Sequence, residues 1–206
     1  VELAALLPTF KSHHGVCAKF MLLTGARITE TTAATWSQID LEAMTWTIPP
    51  ENLKDTRALQ ARRHKPKQAL AIPLSRQAIQ LLTDTREAET DRRQLNGLQE
   101  EIRKQDLLFV GPRGSKLGNW DRWLKATTAT TGITGWSAHA LRRTTATLAG
   151  DLGAPPHIVS VMLGHSNVGG QLVSGYNQSA YSSEHQQILQ RVADRLEEIE
   201  GSVTYG

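Results

Sequence analysis

Two arginine-containing segments carry the residue types that could hold a phosphate group. In "HALRR", His139 and Arg142 are three residues apart, so on a helix they share a face. In "TGARITE", Arg27 follows a glycine turn, and Glu30 lies three residues later, where its carboxylate can orient the guanidinium. A guanidinium presents a planar fork of donors to phosphate oxygens and stays charged at neutral pH. Two arginines from distant segments would neutralise one phosphodiester during phosphoryl transfer, which depends chiefly on positioning and electrostatic stabilisation.

A further histidine and two tyrosines follow these segments and supply candidates for attack on a phosphate. His165 lies in the "LGH" turn at a predicted helix end, and Tyr176 and Tyr181 come shortly after it. An unperturbed phenol ionises near pKa ~10, so neighbouring cations would favour its attack. Each residue also has an ordinary structural explanation, as a hydrogen-bonded histidine or a half-buried tyrosine ring. Because the histidines are dispersed and no carboxylate pair has ligand spacing, we expect chemistry without a metal ion or other cofactor.

Hydrophobic periodicity and capping signals predict the elements that would position these residues. Helices are predicted in residues 12–26, 27–40, 75–95, 118–132, 137–153, 154–165 and 182–201. The segments "MTWTIP" and "ALAIPLS" alternate and are rich in β-forming residues, which predicts a hairpin, and "DLLFVG" predicts a third strand. The predicted fold class is therefore α+β and predominantly α-helical, with a small antiparallel β-hairpin or three-stranded sheet.

A basic insert separates the two predicted hairpin strands. It has six lysines and arginines against one acid, Asp55, while acidic residues collect in 84–106 and near the C-terminal end. This separation suits a face that meets nucleic acid, and equally a solvated loop that keeps the protein soluble. The basic residues are Lys54, Arg57, Arg62, Arg63, Lys65 and Lys67.

The composition is that of an ordinary globular protein of 206 residues with a net charge of +3. The single cysteine, Cys17, excludes an internal disulfide, and the longest apolar run is too short to span a bilayer. We therefore expect one cytoplasmic domain, residues 1–206, with no membrane partner.

Four separated segments, in this order, resemble the signature of the tyrosine recombinases, the phage and genomic-island integrases: "TGARITE", "HALRRTTAT", "MLGH" and "GYN". The resemblance runs from Leu22 to Leu196 and is strongest to the integrases of prophage satellites and bacterial islands. It implies the catalytic-domain fold of that family, without the family's N-terminal DNA-binding domain. It also implies cleavage and rejoining of duplex DNA through a 3′-phosphotyrosyl link, which integrates or excises a mobile element.

The resemblance implies a role for each matching residue. Arg27 and Arg142 would clamp the scissile phosphate, and His165 would make a second phosphate contact. His139 would act as a general acid or base. Tyr176 would be the nucleophile, because "GYN" follows "LGH" at close to the family's distance.

The family's remaining catalytic group is a lysine on the hairpin that protonates the leaving 5′-oxygen. Lys54 falls at the end of the first strand, where that lysine is expected, and the insert also offers Lys65 and Lys67. Tyr181 would be structural. The predicted DNA-binding residues are Arg57, Arg62, Arg63, Lys65, Lys67 and Arg143.

The resemblance further implies attachment-site DNA as the partner, a homo-tetramer on DNA with a monomer in isolation, accessory DNA-bending proteins, and a location at the bacterial nucleoid. The amphipathic C-terminal helix would either pack on a neighbouring protomer or close its own core, and the sequence favours neither. Two other functions stay open: DNA relaxation like that of type IB topoisomerases, which uses the same chemistry, and a DNA-binding or regulatory module whose catalytic set has decayed.

Overall fold

The computed structural model describes residues 2–53, 69–98, 100–164 and 178–202. In these ranges the α-helices are α1 (Glu2–Leu6), α2 (His13–Thr24), α3 (Ile28–Thr32), α4 (Arg76–Leu95), α5 (Trp120–Thr131), α6 (Ala138–Asp151), α7 (Pro156–Met162) and α8 (Gln178–Ser202). The strands β1 (Ile39–Asp40), β2 (Thr45–Ile48) and β3 (Leu70–Pro73) form one antiparallel sheet in the order β1-β2-β3. Short 3-10 turns occupy Leu7–Thr9, Trp36–Gln38 and Pro50–Asn52. Among the described helices, none has the length and apolar composition needed to cross a membrane.

Helix α2 lies at the centre of the core. Ser12 caps its first turn by accepting a hydrogen bond from the Gly15 backbone N–H at 3.2 Å, and Gly25 ends it in the left-handed region at φ 67°. Helices α4, α6 and α8 all pack against it, so its residues are buried on most sides. A Cβ on Gly15 would lie 2.4 Å from the Phe10 Cα, so only glycine lets the preceding turn pack this closely. The segment that contains Arg27 therefore starts from the buried end of a central helix.

The predicted hairpin is confirmed, with β2 paired to β3 from Thr45 opposite Pro73 to Ile48 opposite Leu70. The prediction that "DLLFVG" forms the third strand is wrong. The third strand is β1, and "DLLFVG" makes only isolated bridges to Thr35 and Lys116. Hydrogen bonds explain the difference. The backbone of this segment pairs with residues 34–36, for example Leu108 N–H to Ala34 O at 2.9 Å, rather than with the sheet.

The helix predicted for residues 27–40 is much shorter in the structure and ends at Thr32. The hydroxyls of Thr31 and Thr32 donate back to the carbonyls of Arg27 and Ile28, a pattern that weakens helices. Beyond this point the Trp36 backbone N–H donates to Asp106 O at 3.1 Å, so tertiary contacts replace the helical ladder. The other predicted helices are present, with boundaries that differ by a few residues.

The apolar face of α8 closes the core of its own chain. Leu189, Val192 and Ala193 are at most 1% exposed, and the helix contacts α2, α4, α6 and α7. Near its C-terminal end Glu200 accepts a hydrogen bond from the Lys19 ammonium of α2 at 2.7 Å. The described part of α8 therefore packs within its own domain, and packing on a neighbouring protomer stays a prediction.

Candidate active site

Arg27 is held in place by Glu30 at the start of α3. Its backbone N–H donates to Glu30 Oε2 at 2.9 Å, and its Nη1 donates to Glu30 Oε1 at 2.8 Å. The Glu30 side chain is 1% exposed, whereas that of Arg27 is 21% exposed. A buried carboxylate thus orients a guanidinium that still reaches solvent, as the spacing in "TGARITE" predicted.

Arg142 is buried between the C-terminal ends of two helices. Its Nη1 donates to the carbonyl of Gly25, the residue that caps α2, and its Nη2 donates to the carbonyl of Leu163, which caps α7. Carbonyls at helix C-termini lack partners within the helix and carry partial negative charge, so both stabilise the cation. These bonds use two of the five N–H donors of the guanidinium and leave three for other acceptors.

The two arginines influence each other electrostatically. Burial is the main cause that lowers the pKa of Arg142 to about 10, the positive charge of Arg27 lowers it further, and Glu30 acts in the opposite direction. Arg142 is therefore still a cation at neutral pH. Two neighbouring cations destabilise each other unless an anion lies between them, and this favours binding of a phosphate.

The turn after α7 lies beside Arg27. A Cβ on Gly164 would be 3.9 Å from Arg27 Nη1 and 3.1 Å from Leu70 Cδ2, and the φ of Gly164 is +56°. The structure therefore brings together the end of α2, the start of α3, the start of β3 and the turn at Leu163 and Gly164. These segments are far apart in the sequence.

Helix α6 carries the next two predicted residues at the surface. Ser137 caps this helix by accepting a hydrogen bond from the Ala140 backbone N–H at 3.1 Å. His139, in the first turn, and Arg143 are both exposed, whereas Arg142 is 5% exposed. His139 and Arg143 are thus accessible to a ligand on the helix that holds the buried arginine.

The remaining predicted site residues lie outside the described residues, and they are Lys54, Arg57, Arg62, Arg63, Lys65, Lys67, His165 and Tyr176. Their chain neighbours are informative. Gly164, which directly precedes His165, lies between Arg27 and Leu70, and Leu70 comes two residues after the basic insert. The described chain therefore leads into the insert and into His165 close to the arginine pair.

Sequence reasoning missed the acceptors that hold Arg142, because they are backbone carbonyls. It also missed Thr145, whose Oγ1 donates to Leu22 O at 2.9 Å and which is 0% exposed. The only signal available was the pair of helix ends marked by Gly25 and "LGH". Among residues 2–53, 69–98, 100–164 and 178–202, no group of three or more His, Cys, Asp or Glu side chains is placed to hold a metal ion.

Comparison with known proteins gives a family match and several similar structures. The chain matches the model of the phage integrase family over residues 2–183. It is similar to the crystal structure of the XerA recombinase, with a TM-score of 0.59 and 18% identity over 90% of this chain and 62% of that one. It is also similar to the Tn1549 transposon integrase in complex with circular intermediate DNA, with a TM-score of 0.58 and 17% identity over 88% of this chain and 61% of that one. No curated protein matches it in sequence.

The chain thus spans about three fifths of the length of these two structures. At this level of identity the structural similarity supports the fold, which is the mostly helical catalytic-domain fold of the tyrosine recombinases with a small sheet. The family match is independent of that similarity, and it includes both arginine-containing segments. The chain belongs to the phage integrase family.

Proposed function

We propose that the protein is a site-specific DNA recombinase that integrates or excises a mobile element. The observation that carries this proposal is the arrangement of Arg27 and Arg142, two cations fixed by a buried carboxylate and by two helix C-termini. Such a fixed pair suits the charge that develops on the non-bridging oxygens of a phosphodiester under attack, because its geometry needs little reorganisation during the reaction.

In the proposed reaction the Oη of Tyr176 attacks the scissile phosphorus and the P–O5′ bond breaks. The products are a 3′-phosphotyrosyl ester and a free 5′-hydroxyl, which receives its proton from Lys54. His139 accepts the proton of the attacking phenol, while Arg27 and Arg142 stabilise the phosphoryl oxygens. The 5′-hydroxyl of a partner strand then attacks the ester and releases Tyr176. The ester conserves the energy of the broken bond, so the reaction consumes no ATP.

Duplex DNA that carries attachment sites is the proposed partner. His165 would contact the scissile phosphate, and the exposed Arg143 and the basic insert would contact the backbone, which supplies affinity with little sequence information. The Tn1549 integrase structures contain DNA, and this supports the same class of ligand for the present chain. We further propose a homo-tetramer on DNA, assisted by DNA-bending proteins.

The test combines two substrates, because the attachment site is not known. Relaxation of a supercoiled plasmid detects cleavage at any sequence, and a nicked duplex library traps the covalent adduct when the cut fragment diffuses away. The wild-type protein is compared with Tyr176→Phe and Tyr181→Phe on denaturing gels. We expect an adduct in the wild-type protein and in Tyr181→Phe, and none in Tyr176→Phe.

Other outcomes would change the proposal in defined ways. Loss of the adduct only in Tyr181→Phe would move the nucleophile to that residue. Plasmid relaxation without transfer to a second duplex would indicate a topoisomerase-like activity. DNA binding without any adduct would favour a binding module whose catalytic set has decayed.

A further inference from the structure

The C-terminal turn of α2 receives two hydrogen bonds from α6. Thr145 Oγ1 donates to Leu22 O at 2.9 Å, and Arg142 Nη1 donates to Gly25 O. Arg142 and Thr145 are three residues apart in α6, so both side chains can face α2. The two helices are therefore joined at two points, one of which is the buried arginine itself.

The Leu22 carbonyl needs a partner from outside its helix. In a continued helix it would accept from the Ala26 backbone N–H, but the helix ends at Gly25, and that N–H donates to Thr24 Oγ1 at 3.3 Å. The hydroxyl of Thr145 supplies the missing donor in a place that is closed to water, since Thr145 is 0% exposed.

We propose that Thr145 is a positioning residue that sets the spacing between Arg27 and Arg142. Arg27 follows the end of α2 by three residues, and Arg142 belongs to α6, so the register of α6 against α2 determines how far apart the two guanidiniums lie. The Thr145 methyl group packs beside the same turn, since a Cβ on Gly25 would be at a van der Waals distance of 3.5 Å from Thr145 Cγ2. This inference rests on the proposed function of the arginine pair.

The Thr145 hydroxyl has a second possible acceptor, and an experiment must distinguish the effects of the two hydrogen bonds. Thr145 Oγ1 also lies 3.2 Å from Leu141 O in its own helix, a common contact for a helical threonine. Thr144 provides the matched control, since its Oγ1 donates to Ala140 O at 3.0 Å, also within its own helix. Removal of the hydroxyl at the two positions therefore separates the interhelical bond from the local one.

The experiment compares Thr145→Val, Thr145→Ser and Thr144→Val in the adduct assay, with DNA affinity measured in parallel. Valine keeps the shape of threonine, so we expect Thr145→Val to form the adduct about tenfold more slowly, because small displacements of catalytic groups are costly. DNA affinity should stay within about twofold, because many phosphate contacts share it. Thr145→Ser should restore most of the rate, and Thr144→Val should behave like the wild-type protein.

The proposal would be overturned if Thr145→Val formed the adduct as fast as the wild-type protein, or if Thr145→Ser formed it as slowly as Thr145→Val. It would also be overturned if the loss of rate only matched the loss of folded protein measured by circular dichroism. If Thr145→Val does not fold, Thr145→Ala replaces it in the comparison with Thr145→Ser. A wild-type protein that forms no adduct contradicts the proposed function instead. In that case the position of the Arg142 guanidinium is monitored by the NMR chemical shift of its Nε–H. A chemical shift that Thr145→Val leaves unchanged would also overturn the inference.

Discussion

At the scale of single residues, Arg142 is the group for which structure and chemistry are most tightly linked. A buried cation is costly unless its environment compensates for the lost hydration. Here the compensation comes from the carbonyls of Gly25 and Leu163, and the same bonds fix the direction of the guanidinium. The interactions that make burial tolerable therefore also prepare the group to bind an anion.

Arg142→Lys tests this link, because an ammonium keeps the charge but cannot reach two carbonyls with a planar fork. We expect adduct formation to fall by about a hundredfold or more, which is typical for loss of one preorganised donor. The free energy of unfolding should fall by roughly 1–2 kcal/mol, because a buried carbonyl loses its partner. Adduct assays and urea unfolding measure the two effects. Arg195→Lys, at a position whose side chain is 51% exposed, is the control, and equal losses in both variants would contradict the expectation.

The side chains of this part of the site could be predicted from the sequence, and its backbone groups could not. Arg27, Glu30 and Arg142 stand out because a guanidinium and a nearby carboxylate have specific chemistry at specific spacing. Every residue has a carbonyl, so the choice of Gly25 and Leu163 depends on where two helices end in space. Thr145 was missed for the same reason, since a threonine within a helix has no distinctive spacing.

At the scale of elements, α8 links the segment proposed to carry the nucleophile to the core, because it begins two residues after Tyr176. Its periodicity predicted a helix, and burial of Ile188, Leu189 and Val192 shows which face packs. The sheet was less predictable. Both β1 and "DLLFVG" contain β-forming residues, but "DLLFVG" stays outside the sheet because its backbone pairs with residues 34–36.

We expect the packing of α8 to depend on pH through His185. It is 3% exposed, and among the described residues its Nε2 has no hydrogen-bond partner. Burial lowers its pKa to about 4, whereas a histidine in the unfolded chain titrates near ~6.5. The unfolded chain therefore binds the proton first. The contribution of neutral His185 to the free energy of unfolding should be fully present above about pH 6.5. The free energy of unfolding should fall by roughly 3 kcal/mol as the pH approaches 4.

His185→Leu should remove that part of the pH dependence, because leucine fills the site without a titratable group. Urea unfolding between pH 7 and pH 4.5 measures it, and the exposed His13 provides the control variant His13→Gln. Parallel curves for the wild-type protein and His185→Leu would show that His185 is not the group responsible.

At the scale of the whole molecule, charge is distributed unevenly, although the net charge is only +3. The basic insert connects β2 and β3, and Leu70 at the start of β3 lies beside Gly164, which in turn lies beside Arg27. Several acidic residues are already paired, as Glu89 is with Arg92 and Arg93. If DNA binds at the arginine pair, we expect the positive charge of the insert to add affinity that depends little on sequence.

The salt dependence of DNA affinity tests this arrangement. Each phosphate contact adds about 0.9 to the slope of log Kd against log salt concentration, so the double variant Arg62→Ala and Arg63→Ala should lower that slope by nearly two if both residues contact the backbone. The control removes two positive charges elsewhere, with Arg103→Ala and Arg195→Ala, at positions whose side chains are 60% and 51% exposed. A change in net charge alone would lower the slope equally in the two double variants. Contact by the insert would lower it only in the Arg62→Ala and Arg63→Ala variant. If the insert variant and the control variant have the same slope, the DNA binds on another surface. The insert would then be the solvated loop that its composition also allows.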